Sequence, residues 1–220
     1  MRMMYCAAAL GAIAPGAMGF LLTNGDLDDP GVHESDVATG WTLTEPGGVN
    51  SASFASFADH TTPAPGGVGL WFRSFEGGQA GGGPVDAFLE QSVAGAPGVN
   101  YTLTAWFKFE EFFSGFDAAT DTEARLYMNF YAAGDVFVGG VSLSVCDPGF
   151  NDSEWRQRQI GGVAPAGTVE VRVGASMIDG VLADSNPQSG FVDDFVLVPA
   201  PGAAGAMVVM VGVGAMRRRR

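Results

Sequence analysis

Residues 101–109 have the sequence YTLTAWFKF, and the fold can be predicted from their pattern. Its odd-numbered positions are Tyr, Leu, Ala, Phe and Phe, whereas its even-numbered positions are Thr, Thr, Trp and Lys. In a β-strand, successive side chains point to opposite faces, so this alternation gives one apolar face and one mostly polar face. The stretch therefore predicts a strand with one face in a core and the other directed outward.

The same alternation recurs along the chain. Residues 124–131 place Leu126, Met128 and Phe130 on one face, and residues 169–173 alternate valine with charged side chains. No segment in the middle has a helical period. Many short strands over this length predict an all-β domain, a two-sheet β-sandwich or jelly roll. The other predicted strands are 69–75, 88–93, 136–145, 156–160 and 191–198, separated by turns such as 96–98, 133–135 and 164–167.

The charge balance excludes one class of partner. The 220-residue chain has 24 acidic and 11 basic side chains, for a formal net charge of -13. An acidic surface repels phosphate backbones, so nucleic acid is not an expected partner.

A series of landmarks, taken in chain order, resembles the galactose-binding-like jelly rolls that include several carbohydrate-binding modules. Together they cover most of residues 22–198, and the resemblance implies one β-sandwich domain over 20–198. It does not assign a ligand, because function depends on the site rather than the fold. The landmarks are LTNGDLD at 22–28 with Gly40-Trp41, GVNYTLTAWFK at 98–108, NFYAAGD at 129–135, Trp155, APAGTVEVRV at 164–173 and VDDFVL at 192–197.

The resemblance also implies a structural calcium ion between the first and last strands. Asn24, Asp26 and Asp28 supply oxygens early in the chain, and Asp193 and Asp194 supply them late. Calcium takes about six to eight oxygen ligands. Only one of Asp193 and Asp194 can direct its side chain to the ion unless a bulge intervenes. The alternative is that these acids cap turns or face solvent.

A candidate carbohydrate site lies on the polar faces of the two clearest strands. Sugar recognition uses aromatic rings against the apolar faces of pyranoses and a few placed polar groups for the hydroxyls. The alternative is that this face packs under a loop or holds ordinary solvent-facing aromatics. The candidate residues are Trp106, Lys108, Arg125, Tyr127, Asn129 and Tyr131.

Enzyme signatures are missing from the sequence. Glu110 and Glu111 are neighbours, which gives no separation for a glycosidase acid–base pair. The glycine-rich run at 77–83 lacks the Lys-Ser/Thr of a phosphate-binding loop. We therefore expect a non-catalytic protein. The apolar loop that contains Phe112, Phe113 and Phe116 is predicted to close an edge of the core, with a contact patch as the alternative.

The two ends of the sequence have the character of sorting signals. Arg2 and the apolar residues after it predict a signal peptide over 1–19, whose removal would take Cys6 and leave Cys146 without a disulfide partner. Residues 202–216 are uncharged and precede four arginines, which favours a short membrane segment over a buried helix.

The order of a Pro-x-Pro motif, an apolar helix and an arginine cluster resembles a PEP-CTERM sorting tail, here over 199–220, with Ala200 in place of the family's Glu. The resemblance implies a bacterial exported protein, held transiently in the membrane and cut near the Pro-x-Pro by an exosortase-type enzyme. The residues that carry it are Val198, Pro199, Ala200, Pro201, Arg217, Arg218, Arg219 and Arg220.

The expected function is that of an exported, non-catalytic protein of the cell envelope or extracellular matrix that associates with polysaccharide. Two alternatives remain. The chain is a structural surface protein with the fold but no glycan site, or, less favoured, a polysaccharide hydrolase.

Overall fold

The described residues form ten strands arranged in two antiparallel sheets. The computed structural model describes residues 20–32, 36–46, 55–58, 67–76, 83–147, 152–182 and 188–200. Sheet A has the order β2-β3-β10-β5-β8, and sheet B has the order β1-β4-β9-β6-β7. The strands are β1 Thr42–Thr44, β2 Ala55–Ala58, β3 Gly69–Arg73, β4 Val85–Ala94, β5 Asn100–Phe109, β6 Glu123–Ala132, β7 Val136–Ser144, β8 Arg156–Val163, β9 Thr168–Gly180 and β10 Ser189–Ala200.

The strand order is that of a jelly roll. Among strands β3 to β10, sheet A has the order β3-β10-β5-β8 and lies against sheet B, which has the order β4-β9-β6-β7. Most connections between consecutive strands cross from one sheet to the other. The prediction of an all-β, two-sheet sandwich is confirmed. The predicted signal and sorting helices lie outside the described residues. Within the described ranges, no helix has the length and apolar character needed to cross a bilayer.

The core lies between the two sheets and follows the alternation of the sequence. Leu103 and Phe107 of β5 are buried, as are Leu126, Met128 and Phe130 of β6. Because β5 belongs to sheet A and β6 to sheet B, these apolar faces meet in the middle of the sandwich. The polar faces of the same two strands therefore lie on opposite sides of the molecule.

The segment before β1 extends sheet A. The Leu21 amide donates to the Leu197 carbonyl at 3.1 Å, and the Phe195 amide donates to the Gly25 carbonyl at 2.7 Å. This segment runs beside β10 beyond the point where β3 stops pairing at Val192. The register of β10 against β5 shifts between Asp193 and Val196, which is a β-bulge. The predicted cation residues from the two ends of the domain are thereby brought together.

The loop between β5 and β6 closes one edge of the core. Phe113 is 1% exposed, and its ring centroid lies 4.8 Å from that of Phe109. Phe116 packs edge-on against Phe109. Phe112 remains 41% exposed. The expectation that the phenylalanine loop covers the core is confirmed for Phe113 and Phe116.

Replacing Phe113 with alanine should lower the free energy of unfolding by about 3–5 kcal/mol, because a fully buried ring leaves a cavity among aromatic neighbours. Phe112→Ala is the matched control, and we expect it to change stability by about 0.5 kcal/mol or less. Urea denaturation followed by circular dichroism measures both. Equal effects for the two variants would contradict the assignment of Phe113 to the core.

Candidate functional site

The structure divides the predicted carbohydrate residues between two surfaces. Trp106 and Lys108 lie on β5 in sheet A, whereas Arg125, Tyr127, Asn129 and Tyr131 lie on β6 in sheet B. The outer faces of the two sheets are on opposite sides of the sandwich. The prediction that these six residues form one carbohydrate site is therefore wrong, because the chain passes from one sheet to the other between β5 and β6.

The outer face of sheet B bears an open groove of about 260 Å³. It crosses four strands, and its lining combines one carboxylate, one guanidinium, one amide, three hydroxyl groups and two apolar side chains. The lining residues are Phe88, Glu90, Arg125, Tyr127, Asn129, Ser142, Ser176 and Ile178.

Tyr127 forms the floor of this groove. Tyr127 and Glu90 both pair with Gly174 of β9, from its two neighbouring strands. Because Gly174 has no side chain, the tyrosine ring can cross β9, and its hydroxyl donates to the Leu89 carbonyl at 3.2 Å. The same hydroxyl lies 3.4 Å from Glu90 Oε2. Tyr127 is thus buried rather than projecting as an exposed stacking platform.

The charged groups of the groove are held by specific neighbours. Arg125 forms an ion pair with Glu123, two residues away on the same strand face. Burial raises the pKa of Glu90, against the opposing influence of the Arg172 guanidinium and the Tyr127 hydroxyl. The Asn129 side chain lies against Gly140 of β7, where a Cβ atom would meet its Oδ1. These groups present donors and acceptors at fixed positions.

Tyr131 belongs to a neighbouring cluster and not to the groove lining. The Arg172 guanidinium stacks on its ring at 3.9 Å from the centroid. Arg172 also pairs with Glu170 and Asp135. The Phe137 ring packs edge-on against Tyr131 at 5.8 Å. The charged groups of this cluster are paired with one another. The groove is therefore the more polar part of this face.

Trp106 and Lys108 lie in a different environment on sheet A. Trp106 pairs with Asp193, and Lys108 pairs with Phe191. The Lys108 ammonium group is 5.8 Å from the Phe191 ring centroid. Both side chains are half-buried among residues of β10 and share no surface with Arg125 or Asn129.

Asp193 is a buried carboxylate with an unsatisfied oxygen. It is fully buried, and Oδ1 accepts the Asp194 amide at 2.7 Å. Oδ2 is buried and has no hydrogen-bond partner. Burial, reinforced by the charges of Asp194, Asp28 and Asp26, raises the pKa of Asp193 to about 8. A buried carboxylate among other carboxylates is costly unless a cation or a proton neutralises it.

The other predicted cation residues surround Asp193 in unequal ways. Asp28 Oδ1 accepts the Val68 amide at 2.6 Å. Asp194 has a positive φ of 53° within the bulge, and burial raises its pKa. Asp26 and Asp194 line a second cavity of about 320 Å³. In a regular strand, Asp193 and Asp194 would point to opposite faces, but the bulge allows both to contribute to one site.

Asn24 has a structural role that the sequence did not reveal. Its side-chain Nδ2 donates to the carbonyls of Asp29 and Thr39, and its Oδ1 accepts the Asp29 amide. Its own carbonyl accepts Trp41 Nε1 at 2.8 Å. The amide of Asn24 thus organises the loop and is not directed at Asp193. In the described part of the chain, no three His, Cys, Asp or Glu side chains converge as a ready metal cluster.

The remaining chemical groups are less informative. Cys146 Sγ accepts the Ala124 amide at 3.3 Å, and burial raises the pKa of its thiol to about 12. A thiol with that pKa is protonated at neutral pH and is a poor nucleophile.

Part of the predicted sorting motif belongs to the sandwich. Val198, Pro199 and Ala200 lie in β10 and pair with residues at the start of β5. Pro201 and Arg217 to Arg220 lie outside the described residues.

Sequence reasoning missed the groove residues that come from β4, β7 and β9. Glu90 and Ser176 are at positions whose side chains face outward from their strands, but neither is part of a recognisable sequence motif. Their position beside Tyr127 depends on the order β4-β9-β6, which no local pattern encodes.

No family model matches the chain, and no curated protein matches its sequence. Solved structures match its fold. The enzymatically active domain of bacteriophage CBA120 tailspike protein 4 gives a TM-score of 0.58 at 11% identity, over 82% of this chain and 21% of that one. The Stig cyclase Fisc from Fischerella sp. TAU gives 0.57 at 16% identity, over 83% and 98%. The MgGH51 α-L-arabinofuranosidase gives 0.49 at 16% identity, over 84% and 27%.

The first two likenesses, both with TM-scores above 0.5, establish the class of fold. The chain spans about a fifth of the length of the tailspike domain and nearly the whole length of the cyclase. At such identities, the shared feature is a two-sheet jelly-roll sandwich, on which unrelated functions are built.

Proposed function

We propose that the chain is an exported, non-catalytic jelly-roll protein of the galactose-binding-like type that binds polysaccharide in the groove of sheet B. The observation that carries the proposal is the groove itself. It is open and crosses four strands, and polar groups from all four are held around an aromatic floor. An open groove admits a chain, whereas a closed pocket admits only a chain end or a small molecule.

The groove chemistry suits sugar hydroxyls. Hydroxyl groups both donate and accept hydrogen bonds, and the groove offers the acceptor Glu90, the donor Arg125 and the amide of Asn129, which does both. Phe88 and Ile178 provide apolar surface for the C–H face of a pyranose. Because the chain has a net charge of -13, anionic sugars should bind less well than neutral ones.

The same inventory supports binding over hydrolysis. Glycoside hydrolysis ordinarily uses two carboxyl groups on opposite sides of the scissile bond. Among the groove lining residues, Glu90 is the single carboxylic acid. The hydrolase alternative would require a second acid from elsewhere on the chain.

The export route rests on the sequence signals. Residues 1–19 would be removed on export, and residues 202–216 would hold the chain transiently in the membrane. An exosortase-type enzyme would then cleave near Pro199–Pro201. The mature domain would then act at the cell surface or in the extracellular matrix.

Affinity electrophoresis through gels that contain neutral and acidic polysaccharides tests glycan binding. We expect a neutral polysaccharide to retard the protein. Arg125→Ala and Asn129→Ala should each weaken binding by about tenfold, because each removes one hydrogen-bonding group from the groove. Trp106→Ala is the matched control, since it removes a half-buried aromatic side chain from the opposite sheet, and it should leave retardation unchanged.

The outcomes separate the competing functions. A folded protein that no polysaccharide retards would favour the structural surface protein. Loss of retardation in Trp106→Ala, with Arg125→Ala unaffected, would transfer the site to sheet A. Release of reducing sugar by the purified protein would favour the hydrolase.

We also propose that a structural calcium ion neutralises Asp193. The buried, unpartnered Oδ2 supports this proposal, because an oxygen in that position either binds a cation or carries a proton. Asp28, Asp26 and Asp194 would supply further oxygens, with backbone carbonyls completing the shell. Such an ion would hold the segment at 20–31 against β10 and would take no part in glycan binding.

A further inference from the structure

In the described part of the chain, the turns at one end of the sandwich carry little charge. The strands β4, β6, β8 and β10 finish there, and β5, β7 and β9 begin there, as the pairs Ala94–Glu170, Ala132–Thr168 and Asn100–Val163 show. We call it the uncharged end, and its turns are 95–99, 133–135 and 164–167. These turns contain a single charged residue, Asp135, whose carboxylate pairs with Arg172.

The opposite end is acidic. The connection 110–122 contains four acids and the connection 145–155 contains three, and neither contains a basic residue. The connections at the two ends of the strands therefore differ in charge.

Four exposed apolar side chains lie at the uncharged end. Val163 is 62% exposed, Phe137 57% and Val136 54%, and Val169 is half exposed. Scattered exposed apolar residues are normal on a protein surface. Several large ones at one end, next to turns of Gly, Ala and Pro, indicate a contact surface.

Both ends of the described chain leave from this same end. Ala200 pairs with Asn100, the first residue of β5. Phe20, which is well exposed, precedes Leu21, whose amide donates to the Leu197 carbonyl near the end of β10. Gly202, where the uncharged run 202–216 begins, follows Ala200 after one intervening residue. Two residues span at most about 7 Å.

We propose that the uncharged end is a bilayer-docking surface that lies on the lipid interface while residues 202–216 are in the membrane. The inference rests on the proposed membrane role of that segment. A connection of about 7 Å cannot hold the domain away from the lipid. Phe137, Val136 and Val163 then enter the interfacial region, and the acidic end points away from the anionic headgroups, which would repel it. The groove on sheet B stays accessible from the side.

Hydrogen–deuterium exchange on the full chain tests this inference. The protein is reconstituted at one copy per disc into phosphatidylethanolamine–phosphatidylglycerol nanodiscs. Its exchange rates are compared with those of the chain cleaved after residue 201. We expect slower exchange at 95–99, 133–137 and 163–169 in the discs, and unchanged exchange at 110–122. In the double variant Phe137→Ser/Val163→Ser, this protection should be lost while the chain remains in the disc.

The control variant Phe112→Ser/Leu182→Ser changes exposed apolar residues outside the uncharged end and should keep the protection. Three results would overturn the inference: equal exchange in disc and cleaved forms, protection that survives Phe137→Ser/Val163→Ser, or protection that appears only above one copy per disc. The last would indicate self-association. Failure of the full chain to enter discs would remove the membrane segment and the docking surface together, and leave the glycan proposal standing.

Discussion

Replacing Asp193 with asparagine is expected to stabilise the cation-free protein above pH 8 and to abolish any stabilisation by calcium. Asparagine has the shape of aspartate and keeps an oxygen for the Asp194 amide, but it carries no charge to bury. A pKa raised from 3.8 to about 8 corresponds to a penalty on the order of 5 kcal/mol for the ionised carboxylate. This figure is an upper bound on the gain.

The sign of the pH dependence follows from proton linkage. Between pH 4 and pH 8, folded cation-free protein retains a proton on Asp193 that the unfolded chain releases, since burial raises the pKa to about 8. The folded state binds more protons in this window, so the free energy of unfolding falls as pH rises through it. Asp193→Asn should flatten this slope. Calcium should flatten it in the parent protein, because the ion replaces the proton.

Thermal unfolding with chelator or with calcium measures these effects. A ligand at about one hundred times its Kd adds about 2.7 kcal/mol, which for a domain of this size is a rise in Tm of roughly 5–10 °C. The parent protein should show this rise and Asp193→Asn should not. Asp179→Asn is the control, because Asp179 is an exposed acid outside the predicted cation site. A calcium response that is equal in all three proteins would contradict a site at Asp193.

The sequence predicted those parts of the fold that depend on local periodicity. The period of two in β5 and β6 is complete, so both strands were placed to within a residue or two. β9 extends beyond its predicted valines to Gly180. The sequence did not predict this extension, because Gly174, Ala175 and Ser176 lack the branched side chains that are typical of strands. The three-residue β1 and four-residue β2 are too short to show a period.

The candidate sites depend on long-range strand pairing, which the local sequence pattern does not predict. Asp28 and Asp193 were predicted to come together. Burial is the main cause of the raised pKa of Asp193, and the charge of Asp28 contributes to it. The carbohydrate residues were predicted on one face because the polar faces of β5 and β6 look alike. Which face a strand turns to the core is local information, but which sheet it joins is set by pairing with distant strands.

Gly174 is the residue at which fold and groove depend on each other, and Gly174→Ala is expected to be severely destabilising. A Cβ atom there would overlap the Leu89 carbonyl oxygen and lie 2.8 Å from the Tyr127 hydroxyl. The carbonyl belongs to the neighbouring strand, so relief requires β4 and β9 to separate. Overpacking of this kind costs about 3 kcal/mol or more, which corresponds to a fall in Tm of roughly 6–12 °C.

Gly161→Ala is the matched control, because a Cβ atom there meets its nearest neighbour, the Tyr101 carbonyl oxygen, at an ordinary 3.5 Å. Differential scanning calorimetry of the parent and both variants compares the costs, and equal Tm values for the two variants would contradict the close approach. The double variant Gly174→Ala/Tyr127→Phe removes the hydroxyl overlap and leaves the carbonyl overlap. It should regain only a small part of the loss, because the backbone of β4, and not the tyrosine, sets the limit on what can occupy this position.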